Sequence, residues 1–158
     1  MKISIAIQPS LVQKEQILQL WNAAYSKAIH LENIHALDNY LDGLTEAVHY
    51  FLTDEASEIC GWASVFLRDD EKWFAIIIDE KTQGNGAGTM LLNELKHIEN
   101  ALSGWVIDKS GDIKQDGNAY QSPLQFYLKN EFVINPEIRL ETEKIAAVKI
   151  SWKPSSVL

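Results

Sequence analysis

The residues of this chain best suited to chemistry lie near its middle, where Gln83-Gly84-Asn85-Gly86-Ala87-Gly88-Thr89 joins an apolar run to a helical pattern. The first turn of a helix presents backbone N–H groups with no intrahelical partner, together with the positive end of the helix dipole. Glycines let an anion approach that backbone without meeting a Cβ, so a phosphate is the natural guest. A strand-to-helix turn that needs glycine only for its own geometry is the alternative, and the residues alone leave both open. Two known phosphate patterns are excluded. The G-x-x-x-x-G-K-[ST] loop requires a lysine before Thr89, and none is there. The G-x-G-x-x-G dinucleotide turn fails because Gly84, Gly86 and Gly88 read G-x-G-x-G and lie in mid-chain. Asp108 stands where a ribose-binding acid would follow such a turn, which is a coincidence of spacing.

Other titratable residues are scattered. Glu71 and Asp79 bracket the apolar run before the glycine turn, His49 falls in an earlier strand pattern, and His30, Glu32 and His35 fall between two helical patterns. Any of them is a candidate general base, and the sequence does not choose. His30 and His35 are five apart, which does not put them on one helical face. With no H-E-x-x-H and no Cys/His cluster, no metal site is expected.

These residues have to be held by elements whose periods can be read. Ile3, Ile5 and Ile7 alternate as a first strand. Ser10 and Gln13 have capping-box spacing at the start of a helix carrying Ile17, Trp21, Ala24, Tyr25 and Ala28. Ile34, Leu37, Leu41 and Leu44 predict a second helix. Val48 to Thr53, Ile59 to Leu67 and Trp73 to Ile78, separated by polar turns, predict an antiparallel meander whose last strand is buried on both faces. Gly61 within the middle strand marks a bulge or a close backbone approach. After the glycine turn, Leu91, Leu95, Ile98 and Leu102 predict a helix ended by Ser103-Gly104, then a short strand Trp105 to Ile107. Asp108 to Ser122 reads as a polar loop with an Asp116-Gly117 turn, and a short helix begins near Ser122-Pro123. Ile138 to Glu141 and Ile145 to Trp152 read as a hairpin, with Lys153 to Leu158 a fraying tail. No repeat or linker divides the chain, so residues 1–158 read as a single domain.

Composition bounds the function. The 158 residues are 46% hydrophobic and 23% charged, which is ordinary for a globular domain and excludes a disordered or fibrous chain. With 14 basic against 22 acidic residues, the net charge of −8 opposes a polyphosphate backbone, so nucleic acid is not an expected partner. No apolar run approaches a membrane span, no signal core is visible, and the lone Cys60 cannot form an internal disulfide. The expected location is the cytoplasm. Oligomeric state is not readable, a homodimer being one expectation.

At this point the sequence resembles a family. Gln83-x-x-Gly86-x-Gly88 fits the [RQ]-x-x-G-x-[GA] signature of the GNAT superfamily of N-acetyltransferases and occupies the position it has there, between the fourth strand and the third helix. Ile59-Cys60-Gly61-Trp62-Ala63 is similar to the family's third strand, and Phe126-Tyr127-Leu128-Lys129-Asn130-Glu131-Phe132 resembles its F-Y-x-K-x-G-F segment. The resemblance covers most of the chain. It implies an α/β (α+β) fold with a mixed, mostly antiparallel sheet of about seven strands, splayed between strands 4 and 5 and flanked by about four helices. It further implies that acetyl-CoA lies in the splay as the acyl-donor cosubstrate. Backbone N–H groups of Gln83, Gly84, Gly86, Gly88 and Thr89 would hold its pyrophosphate, and the backbones of Ile76 and Ile78 its pantetheine arm. Tyr127 would be the catalytic acid that protonates the departing thiolate.

The implied activity is transfer of an acetyl group to a primary amine of a small molecule or peptide. A module of the same fold that binds the coenzyme without turnover is the competing reading. Three features depart from the family. Gly84, Asn85 and Ala87 leave the turn without a cation, and only Lys81 is adjacent. Glu131 replaces the glycine before the last phenylalanine, so that either Glu131 is strained or Asn130 takes the left-handed position. Tyr120 stands where an asparagine is common. An acidic surface suits a cationic acceptor but does not choose one.

Overall fold

The computed structural model describes residues 1–155. The last three residues of the expected tail lie outside them. Seven strands form one sheet in the order β1-β2-β3-β4-β5-β7-β6. They are β1 (Lys2–Ala6), β2 (Thr45–Thr53), β3 (Ile59–Arg68), β4 (Glu71–Ile78), β5 (Leu102–Ile107), β6 (Val133–Glu141) and β7 (Ala146–Trp152). Four helices flank the sheet: α1 (Leu11–Ala24), α2 (Ile34–Asp42), α3 (Ala87–Ile98) and α4 (Leu124–Lys129). Every strand pairing is antiparallel except β4 with β5. The mixed, mostly antiparallel sheet that the family resemblance implies is therefore present.

Each face of the sheet carries its own core. On one side Ile17 and Leu20 of α1 and Leu37 of α2 pack on Phe51, Trp62 and Ile77. On the other, Leu91, Leu92 and Leu95 of α3 pack with Phe74, Val106, Tyr127, Phe132 and Ile150. Alternate residues of β4 feed the two cores, which explains a run apolar on both faces. α1 begins with the capping box: the Gln13 N–H donates to Ser10 Oγ (3.1 Å) and the Ser10 N–H to Gln13 Oε1 (2.9 Å). Asn33 caps α2 by a single bond, its side chain accepting from the Ala36 N–H at 2.9 Å. At Gly61 a Cβ would come within 2.8 Å of Ile78 Cδ1 and 3.3 Å of Leu52 Cβ. Close approach is the reason for that glycine.

Several boundaries differ from the sequence pattern. α3 stops at Ile98, and Leu102, Ser103 and Gly104 belong to β5 rather than to a helix and its terminator. Leu102 is buried and pairs with Trp152, so a strand residue entering the same core happened to continue the helical spacing. β2 begins earlier than Val48, behind an irregularity at Glu46, whose φ is 51°. β6 begins at Val133, ahead of a register shift between Asn135 and Arg139 that hides its period.

The end of α4 settles the question raised by Glu131. The Phe132 N–H donates to Tyr127 O (3.1 Å) and the Glu131 N–H to Leu128 O (3.2 Å), which is a Schellman closure. Its left-handed residue is Glu131, at φ 70°, and not Asn130, which is the helix cap at φ −96°. A non-glycine residue pays roughly 1 kcal/mol for that conformation. Glu131→Gly should therefore raise unfolding free energy by about 1 kcal/mol in urea denaturation; a loss of stability would show that the Glu131 side chain, not its backbone, matters.

Candidate active site

β4 and β5 are held together by only two register pairs, Trp73↔Ser103 and Phe74↔Gly104. Beyond Phe74 the parallel strands part, and residues 75–78 of β4 face a gap. Which backbone groups line it follows from the alternation of an antiparallel ladder. The Asp79 N–H donates to Cys60 O (2.8 Å), and the β3–β4 register pairs Trp62 with Ile77 and Ser64 with Ala75. Odd-numbered residues thus bond to β3, while Ile76 and Ile78 turn their N–H and C=O groups toward the gap. Their side chains are half-buried and pack against the α3-side core. The Gln83 amide occupies one of these groups, Nε2 donating to Ile78 O at 3.0 Å.

The glycine turn lies at the mouth of this gap. Gly84 and Gly86 have φ of 85° and 80°, so both are glycines for backbone reasons, and a Cβ at either would meet nothing within 4 Å. Gly88 serves another purpose: a Cβ there would lie 3.0 Å from Phe126 Cζ, so its absence lets α3 sit against α4. The first intrahelical bond runs from the Met90 N–H to Gly86 O (2.9 Å), which leaves the N–H groups of Ala87, Gly88 and Thr89 without intrahelical acceptors. α1 and α2 have side-chain caps, whereas Gly86 caps α3 with none. Gln83 departs from the expectation that its backbone N–H is a free donor. That N–H is already shared between Asp79 O and Glu80 O, both at 3.2 Å, because the turn Glu80–Thr82 ends on it. Gln83 braces the turn.

Tyr127 of α4 sits deep in the α3-side core, with ring centroids 5.8 Å from Phe74, 5.1 Å from Phe126 and 5.6 Å from Phe132. Burial pushes its phenol well above the ordinary tyrosine value, and the nearby Tyr120 adds to this. Tyr120 is itself buried and is pushed up to about 12. Both therefore stay protonated at neutral pH.

None of the candidate bases is free in the gap. Glu71 accepts from Lys149 Nζ (2.9 Å) and from Ser103 Oγ (3.4 Å). Asp79 accepts from the Lys81 N–H (3.2 Å) as the cap of the Glu80–Thr82 turn. His30, Glu32 and His35 are exposed. His49 is buried on the α1 side, where its Nδ1 accepts from Trp62 Nε1 (3.2 Å). Sequence reasoning missed Lys114, from the predicted loop, which the fold buries against Glu80. Nothing local to residues 109–121 announces that partner. Among the described residues no group of three or more His, Cys, Asp or Glu is arranged to hold a metal ion.

The sequence matches the family model for the acetyltransferase (GNAT) domain over residues 46–134, more than half of the chain. This chain belongs to the GNAT acetyltransferases. It is thus an acyltransferase by family. No curated protein sequence matches it. Solved structures share the fold at low identity. An aminoglycoside 6'-N-acetyltransferase complexed with coenzyme A is 16% identical, with a TM-score of 0.65 over 99% of this chain and 100% of that one. The aminoglycoside 6'-N-acetyltransferase from Enterococcus faecium is 15% identical, with a TM-score of 0.69 over 99% and 100%. A phosphinothricin acetyltransferase from Sinorhizobium meliloti, in complex with AcCoA, is 11% identical, with a TM-score of 0.64 over 97% and 89%. Among the described residues of this GNAT chain, no helix is long and apolar enough to cross a membrane.

On the side of the GNAT sheet that carries α1, a cavity of about 400 Å³ opens between the α1–α2 link, the segment after β5 and the β6–β7 turn. Lys27, Asp112, Glu141, Glu143 and Lys144 line it, so its wall carries both signs of charge. On the same side of the sheet, the buried His49 supplies an acid-sensitive element. Burial lowers its pKa from 6.5 to about 4. Below pH 6.5 the unfolded chain protonates this histidine while the folded one resists until about 4, so stability is lost as pH falls through that window. Urea titrations should show a loss of about 3 kcal/mol attributable to His49 between pH 6.5 and 4. His49→Gln should flatten that slope, and an unchanged slope would assign it elsewhere.

Proposed function

We propose that this GNAT domain transfers an acetyl group from acetyl-CoA to a primary amine of a small molecule or peptide, by direct attack of the amine on the thioester. The observation that carries this reading is the gap beyond Phe74, with a helix start lacking a side-chain cap at its mouth and a buried tyrosine beside it. The fold-related structures with coenzyme A and AcCoA support the same donor.

The N–H groups of Gly84, Gly86, Gly88 and Thr89 are assigned to the pyrophosphate, aided by the dipole of α3. Gln83 is assigned a bracing role, because its own N–H is occupied. The free edge of β4 offers Ile76 and Ile78 to the pantetheine amides in the manner of an added strand. When bound, acetyl-CoA supplies an activated acyl group on a thiol leaving group. A backbone N–H of β4 facing the gap is suited to donate to the acetyl oxygen as charge develops there.

Proton transfer sets two demands. A lysine-like amine has a pKa near 10.4, so its neutral form lies about 4.6 kcal/mol uphill at pH 7. Glu71, Asp79 and His49 are all engaged elsewhere, so a water chain is assigned to carry that proton out. Tyr127 is assigned to protonate the leaving thiolate. In water this step would be uphill by about 2 kcal/mol, from a phenol near 10 to a thiolate near 8.5. Burial raises the phenol further, but it raises a thiolate in the same apolar gap as well, so only the difference matters.

Tyr127→Phe should lower kcat roughly 100-fold while the acetyl-CoA dissociation constant stays within about twofold. An unchanged kcat would remove Tyr127 from the mechanism. Calorimetric titration with acetyl-CoA, followed by thiol release against a panel of amines, tests the whole reading. Absence of binding would overturn it, and binding without release on any amine would favour a coenzyme-binding module. The amine panel also tests whether the acidic chain selects cationic acceptors.

A further inference from the structure

Lys114 is a lysine only 7% exposed, far from the turn in sequence, and its surroundings give it a second role. It belongs to residues 111–120, which fold as a small hairpin. The Gly111 N–H donates to Tyr120 O (2.9 Å), the Lys114 N–H to Asn118 O (2.9 Å) and the Gly117 N–H to Lys114 O (3.0 Å). The base of the hairpin is pinned where Arg139 clasps Asp108 with two hydrogen bonds, at 2.8 and 3.1 Å. One side lies on the end of α1: Lys114 bridges to Ser26, and the Lys27 N–H donates to Ile113 O (2.9 Å). The Lys114 ammonium pairs with the Glu80 carboxylate, in the turn that leads directly into Gln83, and Asp116 of its own hairpin lies 4.0 Å away.

The hairpin therefore leaves the C-terminal end of β5 and ties itself to the chain just past the C-terminal end of β4. It is a strap across the mouth where those strands have parted. It also forms part of the wall of the α1-side cavity, through Asp112 and Ile113. Electrostatics give the pair a direction. Glu80 places a carboxylate close before Gly84 in sequence, next to Lys81, and the variable positions of the turn carry no cation. Lys114 cancels that charge from a distant part of the chain. An anion seated on the turn would repel Glu80 and attract Lys114, and so favour the strap in place.

We propose that Lys114 is a positioning residue: it latches the strap, which forms part of the wall of the α1-side cavity, to the turn that receives the donor, and so couples the order of the strap to donor binding. This rests on the acyl-CoA reading of the glycine turn. The coupling is reciprocal, since whatever orders the strap must also tighten the donor site.

Hydrogen exchange at the amides of Lys27, Gly111, Lys114 and Tyr120 reads the strap, and calorimetry with acetyl-CoA reads the turn. In the wild-type protein acetyl-CoA should slow strap exchange several-fold. Lys114→Met and Glu80→Gln should each speed strap exchange about tenfold without ligand, with core amides of β3 unchanged, and abolish its response to acetyl-CoA. Lys114→Met should weaken acetyl-CoA binding several-fold, because Glu80 is left uncompensated. The double variant Lys114→Met/Glu80→Gln should restore that affinity but keep strap exchange fast, and Lys114→Arg should behave as wild type. Strap exchange unchanged in both single variants would overturn the latch. So would an acetyl-CoA affinity indifferent to Lys114→Met. If the wild-type protein bound no acetyl-CoA, the acyl-CoA reading would fall and the coupling of strap to donor with it, while exchange without ligand would still decide whether the pair holds the strap.

Discussion

Everything in the candidate site depends on how briefly β4 and β5 stay paired. Two register pairs join them, and Gly104 makes the second possible, since a Cβ there would lie 2.8 Å from Phe74 Cε1. The Phe74 ring covers that glycine and then packs against Tyr127 and Phe132, so the junction and the tyrosine belong to one aromatic cluster. Past this point the edge of β4 has no strand to bond. An unpaired strand edge inside a sheet is costly unless something completes it. In this chain the Gln83 amide takes one carbonyl, and the rest is the edge suited to an extended ligand.

The second constraint is charge. A chain of net charge −8 has to offer a polyanion a welcoming turn. It does so without cations at the turn's variable positions, through helix-start N–H groups and a dipole that act only at short range. The acid closest before it in sequence, Glu80, is paired with a lysine that the strap delivers. The global charge and the local field are thus separate quantities, and the second is set by which loops meet.

Much of the site was legible in the sequence because its signals are local. The glycine turn, the helix after it and the F-Y segment are each fixed by residues a few positions apart. The capping box at Ser10 and the meander of β2, β3 and β4 were legible for the same reason. What misled was local pattern carried one element too far. Leu102 fits the period of α3 yet lies in β5, and Pro136 with the neighbouring register shift hides the first half of β6. Glu131 shows a third kind of limit. The sequence posed the choice between Glu131 and Asn130, and only the Schellman closure decided it.

The sequence by itself determined the turn and its position between a doubly buried strand and a helix, because each rests on short-range spacing, and it carried the family resemblance that implied the α/β class. Tertiary structure decided why each glycine is there, Gly84 and Gly86 for backbone conformation and Gly88 for contact with Phe126. It decided that the Gln83 N–H is taken up within its own turn, that the acids flanking β4 are already engaged, and that residues 111–120 fold as a hairpin and not a free loop. The physical reason is common to all of these. A hydrogen bond or an ion pair between residues more than 30 positions apart, such as Lys114 with Glu80, leaves no trace in the spacing of either partner's neighbours.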